Sequence, residues 1–254
     1  MSELERSMAE TQMLRLLDML TDAKEYGAIL NIEPLNWKLL YQYTGNMEFD
    51  GQVSFDSIGK EDTAEKLRRL VETAATMSQE YDIVCTNPPY MGMSNLSTKV
   101  NDLVKKYYPD SKADLFACFL EQGNNMVRKY GYNCMVTMQS WMFLSSFEKM
   151  REKLLNTKTI TCLMHMENMV MGIAFGTAVT VFRNENINGY KGTYNQIKLQ
   201  DIDNNQPVEF PIRNNRFAQT SADNFAKIPG SPVAYWVSEK FIEAFDNKTV
   251  GEVA

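Results

Sequence analysis

Asn87-Pro88-Pro89-Tyr90 follows the short apolar run Tyr81-Asp82-Ile83-Val84-Cys85-Thr86, and these residue types in this order make a compact holder for an amine. The asparagine side-chain oxygen and the Pro88 carbonyl are both acceptors, and proline has no N–H to compete for them. Acceptors at a fixed separation suit the hydrogens of a planar –NH2 group. Tyr90 adds a flat face on which the ring bearing that amine can stack. The chemistry implied is methyl transfer to an exocyclic amine. The plain alternative is a rigid turn that ends a strand.

Residues for other chemistries are scarce. His165 is the single histidine, which argues against Ser-His-Asp or Cys-His catalysis and against zinc. It lies in the strand-like run Thr161–Met164 and reads as a satisfied structural histidine. The four cysteines, Cys85, Cys118, Cys134 and Cys162, form no C-x-x-C pair and sit in apolar segments. Reduced, buried thiols are expected.

The 254 residues are enough for one large domain or a domain with an appendage. Apolar and charged contents are those of a soluble globular chain. No apolar run approaches the roughly 18 residues that span a bilayer, and Met1–Arg6 lacks the pattern of a signal peptide. A cytoplasmic protein without membrane contact is expected. A net charge of −6 counts against a free-standing nucleic-acid binder. Binding to DNA then needs a local basic patch or a partner domain. Lys99, Lys105, Lys106 and Lys112 are the candidate patch, set against Asp102 and Asp110.

The elements that must position the motif can be read from periodicity. Met13, Leu16, Leu17 and Leu20 predict an opening amphipathic helix, and Tyr26–Ile32 a short strand. Residues 44–60, with Gly45, Gly51 and Gly59, read as a loop or weak hairpin. A helix carrying Leu67, Leu70, Val71 and Ala74, with Asp62 and Glu65 as a capping pair, hands over to the strand 81–86. A long polar loop follows, then a helix over about 112–129 ended by Gly131, and a strand from Tyr132 to Gln139. Ser145 and Glu148 have capping-box spacing for a helix carrying Phe147, Met150 and Leu154. Strands near 159–166 and 177–183 form an antiparallel, hairpin-like pair. Alternating strands and helices predict a doubly wound α/β sheet, in which ligands bind beyond the carboxyl ends of the strands. Asn87 stands at such an end. From about 185 helical periodicity is lost, and the division expected is 1–60 as an N-terminal helix and irregular segment, 61–184 as the core, and 185–254 as an extension.

The order of segments resembles the adenine-specific (N6) DNA methyltransferases. Ala113–Glu121 looks like the family helix after the motif, Asn133–Trp141 like its next strand and strand-end turn, and Ala174–Phe182 like its late hairpin. Ile228–Ser238 resembles the junction before the target-recognition region in BREX-type (phage-growth-limitation) methyltransferases. The resemblance implies a Rossmann-like S-adenosylmethionine-dependent sheet, with an antiparallel hairpin at one edge, in a restriction-modification or phage-defence enzyme. It implies methylation of an adenine flipped out of DNA. Asn87, Pro88, Pro89 and Tyr90 would form the catalytic set, with Asn87 and the Pro88 carbonyl holding the amine, Asn87 also on the cofactor side, Tyr90 stacking on the base, and Phe175 supplying a second aromatic. From the residues alone Phe175 reads equally as a buried hairpin aromatic. Asp114 reads as a cofactor-side residue or, following Ser111 by three, as part of a helix cap, and the cap is preferred. Trp141 and Trp236 read as core.

One departure matters. The family carries a Gly-rich turn after an earlier strand to hold S-adenosylmethionine, and no G-x-G occurs in this chain. The chain therefore reads as a fragment lacking the first strands, doubtful as a binder of the cofactor by itself, whose partners are DNA, the missing cofactor-binding half and a target-recognition region. The alternatives are an RNA guanine or protein glutamine methyltransferase, and a non-catalytic DNA-binding or docking domain of a defence complex. Glutamine enzymes should show a Glu-Pro pair soon after the motif, and residues 91–120 contain none.

Overall fold

The computed structural model describes residues 1–47, 55–170, 172–204, 206–211 and 217–245, and the chain divides into two compact units, Met1–Glu80 and Tyr81–Ala254. The first is helical. Helix α1 (Glu3–Met19) starts on a reciprocal cap in which Ser2 Oγ accepts from Glu5 N–H at 3.3 Å and the Glu5 carboxylate accepts from Ser2 N–H at 2.7 Å. Its buried stripe is Ala9, Met13 and Leu16, while Leu17 is exposed. Next come α2 (Ala23–Tyr26) and a 3-10 turn, Gly27–Ile29, where a strand was expected. A run this short gives too little periodicity to separate a strand from a turn.

Helices α3 (Trp37–Met47) and α4 (Phe55–Ser78) overturn most of the expected loop over 44–60. Gly45 and Gly59 lie inside helices, and Gly51 falls outside the described residues. A helical glycine costs only about 1 kcal/mol, which packing of α3 on α1 and on α4 offsets. Asp62 and Glu65 lie well inside α4 rather than at its start. Glu65 pairs instead with Arg69 one turn on.

The second unit is a mixed α/β sheet. In chain order its elements are β1 (Tyr81–Thr86), α5 (Thr98–Tyr107), α6 (Leu115–Met126), β2 (Val127–Met138), α7 (Glu148–Thr157), β3 (Thr159–Met166), β4 (Thr177–Arg183) and β5 (Lys191–Ile197). A small pair, β6 (Ile202–Asp203) and β7 (Gln206–Pro207), follows, then β8 (Phe217–Ser221), α8 (Asp223–Ala226) and α9 (Glu239–Glu243). The six-stranded order is β1-β2-β4-β3-β5-β8. Strands β1, β2, β3 and β5 run one way, and β4 and β8 run against them. The antiparallel β3–β4 pair is thus inside the sheet rather than at its edge, because β5 and β8 continue beyond it. Part of the segment read as an extension therefore adds strands to the sheet.

Three local differences from the sequence reading have physical causes. The polar loop after the motif contains α5, whose Ser97 cap accepts from Val100 N–H at 3.4 Å and whose Val100, Leu103 and Val104 are buried. Gly131 lies within β2 rather than ending a helix. A Cβ there would come within 2.5 Å of the Asp82 carbonyl, and the β1–β2 register slips at this point, between Tyr81/Ile83. The helix after Ser145 opens with a 3-10 turn, and its N-terminal residue Phe147 makes no side-chain cap, so the Ser145–Glu148 box is not formed.

Helices α6, α7 and α8 pack on one face of the sheet, where Phe116, Leu120, Met135, Trp141, Met150, Leu154, Phe182, Tyr194 and Phe225 form the main core. Arg151 lies in this core at 1% exposure. Its guanidinium donates to the carbonyls of Trp141 at 2.8 Å, Leu144 at 3.0 Å, Ser231 at 2.9 Å and Gly230 at 3.1 Å. One side chain thus joins α7, the turn after β2 and the segment 228–231. Removing the donors leaves several buried carbonyls unpaired, each costing about 1–3 kcal/mol. Arg151→Met is expected to lower unfolding free energy by about 3 kcal/mol or more in urea titrations, and Arg151→Lys to recover only part, because an ammonium cannot reach all of these carbonyls.

Candidate active site

Strand β1 delivers Asn87 to the carboxyl end of the sheet. The parallel register sets Thr86 beside Met135, so Tyr90 meets the next carbonyl of β2. Its hydroxyl lies 3.0 Å from the Val136 oxygen and 3.1 Å from Asn87 Oδ1. A hydroxyl has one hydrogen, so Tyr90 donates to one of these acceptors at a time. Burial raises the Tyr90 pKa, which keeps the phenol a donor. Asn87 is exposed, Pro88 buried, Pro89 exposed and Tyr90 half-buried. The asparagine amide therefore faces solvent from a rigid base.

The structure brings Phe175 to this group. Its ring lies 5.6 Å from that of Tyr90 at 68°, and Phe116 approaches Tyr90 at 6.0 Å and 86° from the core side. Phe175 is half-buried, in the connection between β3 and β4. Asp114 is the N-cap of α6: its Oδ1 accepts from Phe116 N–H at 3.2 Å and from Met91 N–H at 2.9 Å. The cap is on Asp114 itself, and Ser111 instead bonds Glu121. Asp114 thereby straps the loop after Tyr90 to the start of α6, and Leu115 N–H adds a bond to Met91 O at 2.9 Å. Burial raises the Asp114 pKa against the lowering effect of these N–H groups.

A supporting chain of hydrogen bonds was not visible in the sequence. Gln139, just past β2, donates its N–H to Gly176 O at 3.0 Å, and its side chain lies where a Cβ on Gly176 would be. Gln139 Oε1 is hydrogen-bonded to His165 Nε2, and His165 Nδ1 lies 3.0 Å from the Tyr235 hydroxyl. His165 is thus the satisfied structural histidine expected, and it sits beneath the loop that carries Phe175. Tyr235 stacks on Tyr194 at 5.2 Å and 10°. Its neighbour Trp236 is 54% exposed, not core, whereas Trp141 is fully buried. The cysteines are free as expected, but only Cys118 is buried; Cys85 and Cys162 are exposed. Burial pushes the Cys118 thiol up to about 12. Among the described residues no cluster of His, Cys, Asp or Glu could hold a metal, and no helix is long and apolar enough to cross a membrane.

The strand-end Asn-Pro-Pro-Tyr thus stands next to an aromatic carried by the connection between the antiparallel strands β3 and β4. Residues 9–170 match the model of the Eco57I restriction-modification methylase family, and the chain belongs to that family. It is 32% identical over 239 residues to the adenine-specific methyltransferase BrxX of Escherichia coli O9:H4 (strain HS), covering 92% of this chain and 19% of that protein. It is 33% identical over 231 residues to the adenine-specific methyltransferase PglX of Lacticaseibacillus casei (strain Zhang), covering 87% and 19%. The chain thus spans about a fifth of the length of these curated relatives. A solved type I restriction-modification assembly is similar at 12% identity and a TM-score of 0.48, over 85% of this chain and 55% of that one.

The family implies S-adenosylmethionine, and the residues present fit it on one side only. Asn87 and the Tyr90 loop lie at the carboxyl end of β1. Among the described residues of Tyr81–Ala254, β1 is the outermost strand of the six-stranded sheet.

Burial pulls the His165 pKa down from 6.5 to about 4, against a weaker upward pull from Glu167. The folded state therefore keeps the ring neutral where the unfolded chain already binds a proton. Its contribution is complete above about pH 6.5 and is lost as pH falls toward 4, amounting to about 3 kcal/mol across that window. In urea titrations between pH 7 and 4, wild type is expected to lose stability more steeply than His165→Gln by about that amount.

Proposed function

We propose that this chain is the amine-holding part of an adenine-N6 DNA methyltransferase of a restriction-modification or phage-defence system. The observation that carries the reading is the exposed Asn87 amide fixed beside the buried Pro88, with Tyr90 and Phe175 edge to face next to it. The relatives' description as adenine-specific methyltransferases supports adenine over guanine or glutamine. The flipped adenine stacks on Tyr90, with Phe175 bounding the pocket. Its 6-amino group donates to Asn87 Oδ1 and the Pro88 carbonyl. These acceptors follow the nitrogen as it becomes pyramidal and gains positive charge, so they bind the transition state better than the planar amine. The Tyr90 hydroxyl turns to Val136 O and leaves Asn87 Oδ1 to the substrate. Bound S-adenosylmethionine would supply the methyl group in the whole protein.

The test is methyl transfer from labelled S-adenosylmethionine to DNA, with the chain joined to a cofactor-binding half. Asn87→Ala is expected to lower the rate by about 10²–10³-fold or more. Tyr90→Phe retains most activity because stacking survives, and Tyr90→Ala loses it through weaker base binding, worth about 1–3 kcal/mol. Calorimetric titration of the chain alone is expected to show no micromolar S-adenosylmethionine binding. Absence of methylation in every complemented form would favour a docking role.

A further inference from the structure

The hydrogens behind Gln139 fix which way its side-chain amide faces. Tyr235 is buried, and burial raises the pKa of its hydroxyl, so it keeps its proton. A buried hydroxyl that donates to nothing is costly. Among the described residues its partner is His165 Nδ1, 3.0 Å away, so Tyr235 donates to Nδ1. Burial also holds His165 neutral, and a neutral imidazole has one N–H and one acceptor nitrogen. With Nδ1 accepting, the hydrogen is on Nε2, which donates to Gln139 Oε1. The opposite tautomer would leave the Tyr235 hydrogen buried without an acceptor. The –NH2 of Gln139 is therefore turned away from the ring, and among the described residues it has no protein acceptor.

A second contact sets where that amide stands. Gln139 N–H bonds Gly176 O at 3.0 Å, and the carbon, oxygen and nitrogen of its amide are the atoms nearest to where a Cβ on Gly176 would be. Gly176 follows Phe175, whose ring is 5.6 Å from that of Tyr90. Along β2, Gln139 comes three residues after Val136, the carbonyl that the Tyr90 hydroxyl reaches at 3.0 Å. The amide thus lies against the loop that carries the second aromatic, at the end of the strand that Tyr90 touches. Gln139 is half-buried. Water can satisfy a half-buried –NH2, but a freely solvated amide does not need two buried side chains to set its orientation.

Resting on the function proposed above, we infer that Gln139 is a second polar contact to the substrate base, its –NH2 donating to a ring nitrogen on the edge that carries the amine. On adenine the acceptors of that edge are N1 and N7, on either side of the 6-amino group, and N7 beside N6 is the pattern that side-chain amides read in duplex DNA. Asn87 and Pro88 then accept from the amine while Gln139 donates to its neighbour. The base is held by both kinds of hydrogen bond, which fixes its rotation in the plane of the ring as stacking on Tyr90 alone does not.

The test is a cycle of paired changes in protein and base, with the chain joined to a cofactor-binding half. Methyl transfer is measured on DNA whose target adenine is replaced by 1-deazaadenine or by 7-deazaadenine; each keeps the 6-amino group and loses one ring nitrogen. Wild type is expected to lose about tenfold or more in kcat/KM on one of the two analogues. Gln139→Met loses about as much on adenine and nothing further on that analogue. Tyr235→Phe, which keeps Gln139 but frees the histidine tautomer, loses part of the discrimination, and it replaces Gln139→Met should that variant not fold. Full wild-type activity on both analogues overturns the inference. So do penalties that simply multiply, since a merely structural Gln139 would slow every base alike. Methylation of adenine with such penalties overturns the Gln139 contact alone, and absence of methylation in every joined form overturns the function proposed above together with it.

Discussion

The buried guanidinium of Arg151 ties together the parts that shape the strand ends. Burial lowers its pKa, with Glu148 and Glu152 pulling the other way, and its hydrogen bonds go to main-chain carbonyls of the turn after β2 and of residues 230–231. A charge in a core is expensive unless its donors are satisfied, so these carbonyls must converge, and their convergence dictates the path of both segments. From Ser231 the chain continues through Val233, whose N–H bonds Met142 O at 2.8 Å, to Tyr235. There it meets His165, and through His165 it meets Gln139. The loop holding Phe175 rests on Gln139 at Gly176. A salt bridge on the surface, such as Arg6–Glu10 at 3.2 Å, has no such reach and contributes little.

This dependence explains why the polar groups behind the site are neutral. His165 is held uncharged by burial, and its ring nitrogens are each taken by a neutral partner. A charged ring there would need a counter-charge beneath the aromatic pocket, and none of its hydrogen-bond partners provides one. Neutral, fully used hydrogen bonds give rigidity without a field that would bias the chemistry. The glycine at 176 is part of the same arrangement, since any side chain would displace Gln139.

The tetrapeptide, β1, β3 and β4 were legible because each is a local signal: residue types in sequence, or apolar alternation over six to eight residues. Helix α5 was obscured by its three lysines, Lys99, Lys105 and Lys106, which equal in number the three buried residues of its apolar stripe and hide them unless the 3.6-residue period is read. The start of β2 was hidden by Arg128 and Lys129, and by a glycine that marks close approach to Asp82 rather than a stop. Nothing local distinguishes Arg151 from a surface arginine, and the Gln139–His165–Tyr235 chain spans partners up to 70 residues apart. Cys85 and Cys162 were read as buried from their apolar neighbours. Such runs imply burial on both faces, and within this unit part of one face stays open.

On the function proposed above, the site needs little rearrangement to receive an amine. Tyr90 has two acceptors at nearly equal distance, 3.0 and 3.1 Å, so transferring its hydrogen bond from Asn87 to Val136 exchanges like for like. An arriving amine then replaces a hydroxyl at Asn87 Oδ1 without leaving any donor stranded. Pro88 and Pro89 hold the backbone in a conformation with little freedom to lose on binding, and Asp114 clamps the loop that follows. Preorganisation of this kind is what lets acceptors favour the charged, pyramidal nitrogen over the planar one. What remains is placement of the methyl donor in line with that nitrogen, a matter of ångströms.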